Sequence, residues 1–103
     1  MKHQWTLPLA GLMLGTVMLA GCGYPEVSPQ TYAISKALYS VCNQKSQERL
    51  KTVQELIQKS LENEEISARE ADWLKAIIAQ AEAGEWEAAL LETRQIMDDQ
   101  TGR

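Results

Sequence analysis

A chain of 103 residues with a net charge of −4 and 23% charged side chains is long enough for one domain. An acidic chain of this kind has no electrostatic footprint for nucleic acid. Histidine occurs once, at His3, and cysteine twice, at Cys22 and Cys42, so imidazole catalysis and histidine-rich metal sites have almost nothing to draw on.

The chain opens on Met1, Lys2 and His3, a short and weakly basic start. An apolar run from Leu7 to Leu19 follows, interrupted only by Pro8, Gly11, Gly15 and Thr16. That run has the length of a signal-peptide core and falls short of the roughly 20 apolar residues a spanning helix needs. It ends in Leu19, Ala20, Gly21, Cys22, which resembles the lipobox of the type II signal peptides of bacterial lipoproteins. The resemblance implies cleavage before Cys22, a diacylglycerol thioether on that cysteine and usually a third, amide-linked acyl chain such as palmitate. The alternative is an ordinary secretory signal with Cys22 behind a small-residue cleavage site. Two or more acyl chains anchor a protein durably where one does not. The resemblance therefore implies a membrane-anchored protein outside the cytoplasm. Gly23, where an Asp would signal retention, points to the outer membrane if the host has two membranes.

This reading divides the chain into a cleaved signal at 1–21, a lipidated cysteine and tether at 22–28, and a helical domain at 29–100. The tether, residues 23–28, reaches at most about 20 Å. Loss of the signal takes away His3 and Lys2, which moves the net charge one unit further negative. It also leaves Cys42 without an intrachain partner. Among Leu38, Tyr39 and Val41 this thiol reads as a core residue, with intermolecular pairing or redox chemistry as the alternative.

Ser28 followed by Pro29 predicts a helix start, with a hydroxyl at the cap and a proline at the first helical position. Ile34, Ala37, Leu38, Val41 and Cys42 keep the three-and-four spacing of one buried face. The polar stretch from Asn43 to Arg49 predicts a break, with Asn43 left-handed and Ser46 capping a second helix. Because no Gly or Pro enforces that turn, one continuous helix from Pro29 to Leu61 is the alternative. Leu50, Val53, Leu56, Ile57 and Leu61 form the next stripe, and residues 62–66 read as a solvated link.

Ser67, Ala68, Arg69, Glu70 form a capping box, in which the serine hydroxyl and the Glu70 carboxylate each satisfy an orphan backbone donor. Trp73, Leu74, Ile77, Ile78 and Ala81 carry the buried side, and Gly84 is placed to close the helix at positive φ. A last amphipathic helix carries Trp86, Ala89, Leu90, Thr93, Ile96 and Met97 before Asp98 and Asp99. Those carboxylates lie at the wrong end of the helix dipole, offset by Arg94 four residues before Asp98. The fold class is all-α: about four helices as two stacked hairpins, or three helices if the first two are continuous.

Gly84, Glu85, Trp86, Ala89 and Leu90, with Trp73 upstream, resemble the inner half of a tetratricopeptide-like helical hairpin. Thr93, Ile96, Ile77 and Gln80 depart from that family's pattern. The resemblance implies two stacked helical hairpins.

Adjacent carboxylates occur at Glu64 with Glu65 and at Asp98 with Asp99, in places where water keeps both ionised. No calcium loop, phosphate cradle or nucleophile elbow is present in the sequence. The chain thus reads as no enzyme, with no catalytic residue, metal ligand, cofactor or small-molecule substrate inferred. Cys22 is the expected lipidation site. Trp73 and Trp86 are the possible partner-binding residues, because tryptophan is enriched at binding hot spots, although their helical spacing also suits a core. The expected function is that of a non-catalytic envelope lipoprotein that binds another envelope protein or supports its assembly. The alternatives are a structural or stress-related lipoprotein, or an accessory or inhibitory subunit of a cell-wall enzyme.

Overall fold

The computed structural model describes residues 23–101. The signal peptide expected at 1–21 and the lipidation site expected at Cys22 lie outside the described residues. Four helices occur among the latter: α1 at Pro29–Gln44, α2 at Gln47–Glu62, α3 at Ala68–Glu82 and α4 at Trp86–Thr101. No strand is described. The chain is therefore all-α, and α1 and α2 are separate helices.

The first three starts have the chemistry the sequence suggests. Ser28 accepts a hydrogen bond from Thr31 N, with Pro29 at the first helical position. Ser46 accepts from Arg49 N, and Ser67 and Glu70 complete the reciprocal capping box of α3. A side-chain oxygen at each cap satisfies a backbone donor that the helix cannot.

The stops follow one plan. At the end of α1, Lys45 N donates to Cys42 O and Ser46 N to Val41 O. Glu64 and Glu65 repeat the pattern on Leu61 and Ser60, and Gly84 and Glu85 repeat it on Ala81 and Gln80. This pair of bonds is the Schellman closure, which needs a left-handed residue at its hinge. That residue is Lys45 at φ 54°, Glu64 at φ 61° and Gly84 at φ 87°. The left-handed residue expected at Asn43 is thus displaced to Lys45, and Asn43 stays inside α1. The carbonyls of Val41 and Cys42 are best satisfied when the chain reverses at residue 45.

Helix α1 packs against α2 and α4, α3 packs against the same two, and α1 and α3 touch only lightly across the diagonal. Two antiparallel hairpins, α1–α2 and α3–α4, thereby close into a bundle. Ile34, Leu38, Leu50, Ile57, Leu74, Ile77, Ile78 and Ile96 fill it, all fully buried. Two positions depart from the expected pattern. Leu56 is 37% exposed, because Val53 and Ile57 already occupy the inward stripe of α2. Ile66 is buried, so it plugs the link between α2 and α3 while its neighbours Glu64 and Glu65 stay solvated.

The antiparallel course gives the bundle two unlike ends. One holds the start of α1, the α2–α3 turn and the finish of α4. The other holds the α1–α2 and α3–α4 turns.

Candidate functional site

Residues 23–28 have no regular secondary structure and do not stand off the helices. They form a strap across the first end of the bundle, attached at Tyr24, Pro25, Val27 and Ser28. Ser28 N donates to Glu70 Oε2 at 2.7 Å and Ser28 Oγ to Glu70 Oε1 at 3.2 Å. Gln100 clasps the strap with both ends of its amide: Oε1 accepts from Val27 N at 3.1 Å, and Nε2 donates to Pro25 O at 2.9 Å. Tyr24 N donates to Asp99 Oδ2 at 2.7 Å, and the Tyr24 hydroxyl donates to Glu92.

Tyr24 lies edge-on to Trp73 with ring centroids 5.0 Å apart, and the Arg69 guanidinium sits 5.0 Å above the same indole. Aromatic edge contacts and cation–π stacking both favour such an arrangement. Tyr24 and Trp73 line a shallow groove of about 350 Å³, walled further by Ala76, Ile77, Gln80 and Glu92. Burial pushes the Tyr24 phenol well above its usual range, reinforced by the hydrogen bond and charge of Glu92 and by the charge of Asp99. The phenol thus stays a donor at any physiological pH.

Glu70 serves two helices at once. Its carboxylate accepts from Ser67 N at 2.8 Å, within its own capping box, and from the α1 cap Ser28. Burial works against its charge. Hydrogen bonds from the Ser67 and Ser28 backbones and the Ser28 and Thr31 hydroxyls outweigh that and hold the carboxyl below its usual range.

Gly23 meets Asp99 so closely that a Cβ on it would lie 2.9 Å from Asp99 Oδ2, and its φ is +78°. Both constraints favour glycine. Asp99 also accepts from Gln95 Nε2 at 2.8 Å, so this carboxylate of the Asp98–Asp99 pair orders the strap. Arg94 lies 4.0 Å from Asp98 with both side chains well exposed, an arrangement that contributes little to stability.

Trp86 lies at the opposite end of the bundle. It is half-buried against the core and lines an open groove of about 650 Å³ with Cys42, Lys45, Gly84 and Leu90. Trp73 and Trp86 are therefore not brought together, and they serve different ends. Cys42 is buried at 2% exposure, and that burial raises its thiol pKa, which disfavours the thiolate form. No group of His, Cys, Asp or Glu among the described residues is placed to hold a metal ion. No described helix is long and apolar enough to cross a membrane.

Sequence reasoning missed Tyr24, Glu92, Asp99 and Gln100 as one constellation. The hydrogen bonds between the strap and α4 join residues that lie 68 to 75 positions apart and leave no periodic signal. The capping box did mark Glu70, but not its second helix. Compared with known proteins, the chain matches no family model, no curated protein and no solved structure.

Proposed function

We propose that this chain is a lipoprotein of the bacterial envelope, anchored through acyl chains on Cys22, that acts without catalysis by binding another envelope protein or supporting its assembly. The observation that carries the anchor is the sequence Leu19, Ala20, Gly21, Cys22 at the close of an apolar run of signal length. Binding is supported by the open groove beside Trp86, a half-buried aromatic of the kind that anchors interfaces, and by Leu91, which is 57% exposed.

Cys22→Ser removes the attachment point for the acyl chains, the only anchor of sufficient strength in this reading. Membrane fractionation and intact-mass measurement test it: the parent carries acyl mass in the membrane fraction, and the serine variant is released. A firmly membrane-bound serine variant, or a parent without acyl mass, would overturn the proposal. Proteins recovered with the membrane-bound form then test binding. An apolar contact at the Trp86 groove holds at high salt, whereas sharply salt-dependent association favours an accessory subunit whose acidic surface complements a basic enzyme.

A further inference from the structure

The strap limits how a lipid-anchored domain can stand. Were residues 23–28 a free tether, the bundle could tumble within about 20 Å of its anchor. Instead Gly23 is seated against Asp99, with Tyr24, Pro25, Val27 and Ser28 fixed behind it. The next residue toward the anchor is Cys22, and one trans peptide unit spans only about 3.8 Å. In the lipid-anchor reading, only one peptide unit and the cysteine thioether separate the acyl chains from the folded strap.

We infer that the strap end of the bundle, with the α2–α3 turn and the finish of α4, lies directly on the bilayer surface, while the groove at Trp86 is held facing away from it. The inference rests on the lipid-anchor reading and deepens it, because it names the face that meets lipid. The two ends are separated by the length of α1, whose 16 residues span about 24 Å. A partner protein thereby meets the Trp86 groove on the side remote from the membrane.

The chemistry of the strap end also selects the lipid surface. Glu26, Glu62, Glu64 and Glu65 are exposed there and outnumber the exposed Lys59 and Arg69, so a bare anionic surface repels it. At about 0.01 M salt the screening length is about 30 Å, longer than α1, and at 0.15 M it is about 8 Å. The strap end therefore fits zwitterionic lipid at any salt and anionic lipid only when screened.

The test uses the acylated full-length protein in phosphatidylcholine vesicles, with a fluorophore on Asn63→Cys at the strap end or Asn43→Cys at the far end. Both positions are exposed, and Cys42 is buried. A quencher on the lipid headgroup should quench the Asn63→Cys label several-fold more than the Asn43→Cys label. The triple variant Tyr24→Ala, Asp99→Ala, Gln100→Ala, which releases residues 23–27 from α4, should bring the two labels toward equality. On vesicles rich in phosphatidylglycerol the difference should shrink at low salt and return at 0.15 M. Equal quenching of both labels in the acylated parent overturns the orientation alone. A chain without acyl mass overturns the anchor reading and the orientation with it, and a difference that ignores salt on the anionic vesicles overturns the assigned face.

Discussion

Glu70 is 8% exposed and its charge completes the caps of both α1 and α3. Hydrogen bonds to a charged group contribute more than neutral ones, and losing one partner leaves the others unsatisfied. Glu70→Ala should therefore cost about 2–3 kcal/mol in urea melts at pH 7. The pH dependence has a definite sign. A carboxyl whose folded pKa lies below its unfolded value of about 4.3 contributes stability that is present above that value and lost as pH falls through the folded pKa. Stability of the parent should decline as pH falls below about 4.3, and Glu70→Gln should flatten this part of the profile. An unchanged profile would show that Glu70 is not the group responsible. Gly84, with no atom within 4 Å of a notional Cβ, poses a purely backbone problem. Gly84→Val should cost about 1–2 kcal/mol from the left-handed conformation alone, read as a lowered urea midpoint with an unchanged slope.

The three helix stops share one hydrogen-bond scheme, yet only α3 closes on glycine. Lys45 and Glu64 adopt the left-handed region with a Cβ, which costs about 1–2 kcal/mol relative to an unstrained conformation. Glycine avoids that strain but has more entropy to lose on folding, so part of the gain is offset. Lys45→Gly and Glu64→Gly should each stabilise the bundle by up to about 1 kcal/mol. The two sites are in different turns, so the double variant should show nearly additive gains. Thermal melts of the single and double variants check this, and a loss of stability in either single variant would place its chain reversal elsewhere. The same comparison explains why the turn at Lys45 escapes a sequence search. Asn43 is the better left-handed former by residue type, but the Schellman bonds to Val41 and Cys42 decide the position.

Across the whole molecule, the strap couples the start of the chain to its finish. Tyr24 covers Trp73, and Asp99 and Gln100 hold the backbone on either side of it. Tyr24→Ala removes an aromatic contact and a hydrogen bond, together worth about 1–3 kcal/mol. For a domain of this size that lowers Tm by roughly 4–8 °C per kcal/mol. Trp73 emission should shift to the red as water reaches the indole, while helical circular dichroism at room temperature stays near the parent's. A blue-shifted or unchanged emission would mean that Tyr24 does not shield Trp73. Trp86→Ala at the other end should cost about 3 kcal/mol, the lower edge of the range for a buried tryptophan, because Trp86 is only half-buried.

What the sequence determined by itself is local. Ser28 with Pro29, Ser46, and Ser67 with Glu70 set the three capped helix starts within four residues each. Gly84 marks a stop, and the apolar spacing of Ile34, Leu38, Leu74 and Ile78 marks the inward faces, because capping and helical periodicity act over one or two turns. What only the tertiary structure decided is every contact whose partners are far apart in the chain. These include the seating of Tyr24 on Trp73 and Glu92, the grip of Gln100 on the strap and the second cap served by Glu70. They also include the exposure of Leu56 and the burial of Ile66. Residues 23–28 carry a tyrosine, a proline and a glycine and no periodicity, so read alone they are a tether. They become a strap because the bundle brings the α3–α4 groove and the end of α4 beside the start of α1, where their backbone donors find fixed acceptors.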